Sequence, residues 1–173
     1  MNSTVIRNGL RFLGLVLVQG LILQNIGVSW KEFPYMNLFI YPLFVLVLPL
    51  RAPATLVIFL GFLMGITVDV FYNSLGIHAF AMTFTAYIRP FILRQIEPRS
   101  GYNNNYSPTI RRYGNAWFAK YAAIMLGIHC FIYFFVEAFT PYYMADIIIK
   151  TLVCFILSFG LIYLVHLIFN SYE

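Results

Sequence analysis

Charge is scarce in this chain of 173 residues: Asp, Glu, Lys and Arg together make up 10% of it, against 61% hydrophobic residues. That is too little polar surface to coat a water-soluble globule, which excludes an ordinary soluble domain. A nucleic-acid binder is excluded for a related reason. The net charge is +5, but the basic residues lie between apolar runs instead of forming a stripe on a polar face. Cysteine is also rare. Cys130 and Cys154 are the only two, and both sit inside apolar runs, where a thiol is a small packing residue rather than half of a redox pair. No nucleotide-binding glycine loop, no Gly-x-Ser-x-Gly turn and no His-Glu-x-x-His helix occurs, so neither energy coupling nor a familiar hydrolase centre is encoded. No cofactor is expected.

What the chain has in abundance is long apolar stretches. A membrane helix needs about 20 mostly apolar residues. Six stretches approach this, at about 10–28, 34–50, 54–72, 75–93, 116–139 and 144–169. The first is long and shows no clear small-residue cleavage site before Trp30, so it reads as a span, not as a signal peptide. The second contains Pro34, Pro42 and Pro49, each removing a backbone donor. It is therefore expected to be kinked, short or partly re-entrant, and packed against protein. The polar stretch 94–115, with Pro, Gly and an Asn run, reads as a loop outside the bilayer. The fold expected is a single all-α integral membrane domain over residues 1–173, a bundle of six transmembrane helices.

The positive-inside rule orients it. With the N-terminus cytoplasmic, Arg7, Arg11, Arg51, Arg89, Arg94, Arg99, Arg111, Arg112 and Lys120 fall inside, leaving only Lys31 and Lys150 outside. Both termini then lie in the cytoplasm. Arg89, Arg94, Arg99, Arg111 and Arg112 form a basic cytoplasmic connection suited to anionic lipid headgroups, or to a cytoplasmic partner.

The third stretch carries the most specific pattern. Gly61, Gly65 and Asp69 are spaced by four, so they line one helical face, and the glycines open a groove for the close approach of another backbone. A partner protein's helix is the sharper reading of that groove, and plain packing the simpler one. Asp69 is costly in a span unless it is paired or reaches the interface, and His78, just across the turn, is positioned to pair with it. A metal site would need a third converging ligand, whereas His129 and His166 lie on other spans. Asp146 and Lys150, four apart, can pair along one helix. An intramembrane enzyme has too few converging nucleophiles and bases.

The segment from Leu48 to Tyr87, "LPLRAPATLVIFLGFLMGITVDVFYNSLGIHAFAMTFTAY", resembles the core signature of the bacterial rod shape-determining MreD family. There an arginine-bearing loop precedes a Gly-x-x-x-Gly-x-x-x-Asp helix, a short turn, Leu-Gly, a small-residue helix and Ala-Tyr. The corresponding positions are Arg51, Gly61, Gly65, Asp69, Leu75, Gly76, Ala79, Ala81, Ala86 and Tyr87. The resemblance implies a non-enzymatic subunit of the cell-elongation machinery in the bacterial inner membrane. It further implies partnership with MreC, with the actin-like MreB, and with the peptidoglycan-building RodA and its transpeptidase. It also implies a fold similar to the substrate-binding subunits of energy-coupling-factor transporters, with the groove Gly61, Gly65, Asp69, Leu75 and Gly76 taking a partner helix. Two features depart from the family: a long loop rich in Asn and Tyr, and short outer loops that leave partners to be met within the membrane. The rival reading is a subunit that captures a vitamin or metabolite for transport, with Asp69, Asn73, His78 and Glu137 around a cavity.

Overall fold

The computed structural model describes residues 2–29, 37–74, 76–103 and 106–170. Among them every regular element is a helix. Helix α1 (Asn2–Leu17) runs through a π-helical turn at Val18–Leu23 into α2 (Gln24–Ser29). A four-residue helix, α3 (Leu43–Leu46), follows, then α4 (Ala54–Tyr72) and α5 (Ile77–Gln95). After the long loop come α6 (Ile110–Tyr113), α7 (Asn115–Ala138) and α8 (Met144–Asn170).

Four stretches are long and apolar enough to cross a membrane: Val5–Ile26, Ala54–Tyr72, Asn115–Ala138 and Pro141–Ile168. This is a membrane-protein composition and architecture. α5 has the length of a span but is not among the four, because it carries His78, Thr85 and Arg89. Those residues are buried, while Phe80, Tyr87 and Phe91 face outward. The polar groups of α5 thus point into the bundle and its aromatic groups point away from it.

The stretch expected as a second span is not a long helix. Its residues 34–36 lie outside the described residues, and Phe39–Leu48 form a buried, mostly irregular segment around the single turn of α3. Proline explains this. Pro42 begins the turn, and Pro49 and Pro53 prevent a helix from continuing before α4.

Helix directions follow from side-chain contacts. Gln19 and Gln24 reach Tyr72 and Phe71, so the continuation of α1 packs against the last turn of α4. α5 returns antiparallel after a turn in which Asn73 (φ 50°) and Gly76 (φ 84°) take left-handed conformations. Asn tolerates that region and Gly has no Cβ to oppose it. α7 pairs antiparallel with α5 through Thr85–His129 and Arg89–Tyr121, and α8 with α7 through Cys130–Cys154 and Phe118–His166. The bundle therefore has a hairpin end, at residues 73–76 and 139–143, and a loop end, at residues 49–53 and 96–114.

The outward face of α4 is largely apolar. On α4, Phe59, Phe62, Ile66 and Val70 are exposed, while Val57, Gly61, Met64, Gly65 and Val68 are buried. Lipid tails are as apolar as these side chains and offer no hydrophobic drive for one helix to join another, so cohesion must come from close packing and buried hydrogen bonds.

Candidate functional site

The glycine face of α4 is filled by the chain itself. A Cβ built on Gly65 would lie 2.5 Å from Ala79 Cα and 2.6 Å from the His78 carbonyl oxygen. One built on Gly61 would meet Ala86 Cβ at 3.0 Å and the Met82 carbonyl oxygen at 3.2 Å. The expectation of a groove open to a partner's helix is corrected accordingly: α5 occupies it, because the short turn returns α5 directly onto the residues lacking side chains. Leu75, assigned to the same groove, lies outside the described residues. Gly76 serves the turn, and nothing lies within 4 Å of where its Cβ would be.

One turn above the glycines, Asp69 is 5% exposed. Its Oδ1 accepts from the backbone N–H of His78 at 3.0 Å and from Ser74 Oγ at 2.5 Å, and its Oδ2 accepts from Ala79 N–H at 2.9 Å. The first turn of any helix leaves backbone donors without intrahelical partners. Here a carboxylate from the preceding helix supplies the cap, since Gly76 at the cap position has no side chain to do so. Asp69 is thus a structural acceptor turned inward, and it does not snorkel to the surface.

His78 Nδ1 lies 3.0 Å from Asp69 Oδ1 and 2.9 Å from Ser74 Oγ, so the pair expected from the sequence meets in space. Because the Ser74 hydroxyl already donates to Asp69, the network assigns the proton to Nδ1. The ring is fully buried among Tyr72 (4.7 Å between ring centres), Tyr133 (4.8 Å) and Tyr41 (5.6 Å), and Nε2 has no hydrogen-bond partner among the described residues.

Deeper in the bundle a second histidine binds three elements. His129 Nε2 lies 2.7 Å from Tyr41 Oη, and its Nδ1 lies 2.8 Å from Thr85 Oγ1. Thr85 donates to the Ala81 carbonyl, so it accepts from Nδ1–H, which leaves Nε2 to accept from Tyr41. Gln19 performs the same service for irregular backbone. Its amide accepts from Ile40 N–H and donates to the Leu38 carbonyl, both at 2.9 Å, while Ser158 Oγ takes the N–H of Phe39. Exposed backbone groups in a membrane interior each need such a partner.

Towards the loop end, Arg89 corrects a second expectation. Assigned to the basic cytoplasmic connection, it is 4% exposed and lies within α5. Its Nε donates to Tyr121 Oη at 3.1 Å and its Nη2 to the Leu48 carbonyl at 2.5 Å. The sequence places it near a helix end, but a whole further turn of α5, to Gln95, separates it from the loop. Arg94 closes α5, and Arg99, Arg111 and Arg112 do lie in or beside the loop.

The remaining candidates are local. Lys150 pairs with Glu137 across the α7–α8 hairpin at 3.5 Å instead of with Asp146, because its face of α8 meets the last turn of α7. The Cys130 and Cys154 sulfurs are 3.7 Å apart as free, buried thiols. His166 stacks on Phe118 at 4.1 Å, remote from His78 and His129. Among the described residues no three His, Cys, Asp or Glu side chains converge as metal ligands.

Most of these contacts fasten one helix, or the irregular segment, to another. The residues the sequence reading missed, Gln19, Tyr41, Thr85 and Ser158, share a signal with His129, whose partners it did not foresee, namely polar side chains inside apolar runs. Comparison with protein-family models, with curated proteins and with solved structures returns no match.

Proposed function

We propose that this chain is a non-enzymatic inner-membrane subunit of the bacterial cell-elongation complex. In this role it binds an MreC partner and helps to place the peptidoglycan-building machinery, RodA with its transpeptidase, in register with MreB. The reading rests on the resemblance over Leu48–Tyr87. The observation that carries it is that the residues of the resemblance act together: Gly61 and Gly65 seat α5, and Asp69 caps it. A motif that builds one interlocked hairpin is a reason for those residues to occur as a set.

The finer architecture belongs to the same proposal. The buried segment before α4 counts with α5 as a crossing, giving six passages, with both termini in the cytoplasm and a likeness to the substrate-binding subunits of energy-coupling-factor transporters. Partners meet outward faces of the bundle rather than the glycine face, which α5 covers. The interior supports a scaffold over a substrate-capturing subunit. Asp69 is committed to backbone donors, and aromatic rings pack around His78.

Co-purification of the full chain from native membranes, with identification of what comes with it, tests the proposal. Recovery of MreC-like and cell-wall-synthesis proteins is the expected result. Recovery of a transport ATPase in their place overturns it.

A further inference from the structure

The loop end of the bundle gathers arginines that no described acidic side chain pairs with. Arg94, Arg99, Arg111 and Arg112 make no ion pair among the described residues, and Glu97, the acidic residue nearest to them in sequence, pairs with none of them. Beneath them Arg89 is buried with neutral partners only, the Tyr121 hydroxyl and the Leu48 carbonyl. A cluster of this kind draws its counterions from outside the protein.

The loop is also shaped to receive one. An open cleft of about 550 Å³ is lined chiefly by Ser100, Tyr102, Asn103, Tyr106, Arg112 and Tyr113, a size within the range of about 300–1,000 Å³ usual for small-ligand sites. Arg112 is its one charged lining residue, held with its guanidinium carbon 3.8 Å above the Tyr106 ring. Stacking fixes the plane of the guanidinium and leaves its N–H edge free to grip an oxyanion with two parallel hydrogen bonds. Behind it, Tyr102, Tyr113 and Trp117 pack at ring separations of 4.7–5.9 Å. Trp117 Nε1 ties this cluster to the Ile96 carbonyl, where α5 ends. Trp and Tyr at the ends of apolar helices mark the headgroup layer. By that rule the cleft would open at the headgroup layer of a bilayer spanned by these helices.

We propose that this cleft binds the phosphate of an anionic phospholipid headgroup, with Arg112 as its principal cation. A zwitterionic lipid is disfavoured, because its own ammonium would be brought against Arg112. The inference does not depend on membership of a cell-elongation complex. It requires only that the helices sit in a bilayer.

The test is native mass spectrometry of the full chain in detergent, with phosphatidylglycerol or phosphatidylcholine of identical tails added. Retention of phosphatidylglycerol is expected to exceed that of phosphatidylcholine, and Arg112→Gln to cut it by about fivefold, the effect of one basic residue at a membrane surface. Tyr106→Leu, which removes the stacking platform and leaves the charge, is expected to give an intermediate loss. Lys150→Gln at the opposite end serves as the control and is expected to change nothing. Thermal unfolding of each variant separates lost binding from lost fold. Equal retention of the two lipids, or unchanged phosphatidylglycerol retention in a folded Arg112→Gln, overturns the proposal. Displacement of the lipid by an equal concentration of inorganic phosphate also overturns it, by making the site one for a soluble anion.

Discussion

Gly65 on α4 and Ala79 on α5 pack so closely that a single methyl group on the glycine would stand 2.5 Å from the alanine Cα and 2.7 Å from its backbone nitrogen. Neither obstructing atom belongs to a side chain that can rotate away. Relief requires the two helices to part, and that movement would pull the Ala79 N–H from Asp69.

Gly65→Ala is accordingly expected to destabilise the bundle by about 1–3 kcal/mol or more, the usual cost of overpacking. Gly61→Ala should cost less, since its nearest contacts are at 3.0 and 3.2 Å. Thermal unfolding of both purified variants in one detergent checks the order. Equal midpoints for the two would contradict the packing account.

Asp69→Asn retains one acceptor oxygen and turns the other into a donor facing an N–H group. Asp69→Ala removes both and orphans the N–H groups of His78 and Ala79. A loss of about 1–3 kcal/mol for the alanine, with a smaller loss for asparagine, is expected from the cost of unsatisfied buried donors. Amide exchange at the first turn of α5 should rise in both variants, and protection equal to wild type would remove the capping role.

The Tyr41–His129 bond is suited to a double-mutant cycle using Tyr41→Phe and His129→Leu. Interhelical hydrogen bonds in membrane proteins couple by about 0.6 kcal/mol on average and by no more than about 1.7. A coupling inside that range is expected. A value near zero would show the contact to be incidental to stability.

Glu137–Lys150 should matter little. Both side chains are about one-third exposed, at 35% and 32%, and such pairs contribute about 0–1 kcal/mol. Lys150→Gln is expected to leave the unfolding midpoint essentially unchanged, and a large drop would mean that Lys150 has a further role.

The legible part of this fold was the part written in local pattern. Helices α1, α4, α5, α7 and α8 follow from apolar length, and the meeting of Asp69 with His78 follows from a turn too short to carry them apart. The spacing Gly61–Gly65–Asp69 announces a close helix contact, yet it does not say which helix. A groove that suits any backbone takes the nearest one, and the nearest is the helix tethered by the turn itself. Arg89 was illegible for a different reason. Charge alone assigns it to water, and only the tertiary meeting of Leu48, Tyr121 and α5 provides neutral acceptors that let it stay inside. The contacts of the interior histidine were not foreseen because its partners, Tyr41 and Thr85, lie 88 and 44 residues away in the chain.

The irregular segment before α4 bears on the order in which the protein can be made. The Phe39 N–H finds its acceptor on Ser158, 119 residues further along the chain. Until α8 has entered the bilayer, that donor has no partner of its own, and a segment with unsatisfied backbone cannot rest in lipid. The backbone at Phe39 thus reaches its final hydrogen bonding only after the last helix arrives. Chains truncated before residue 158 should insert their long helices and still leave the middle of the bundle unfinished.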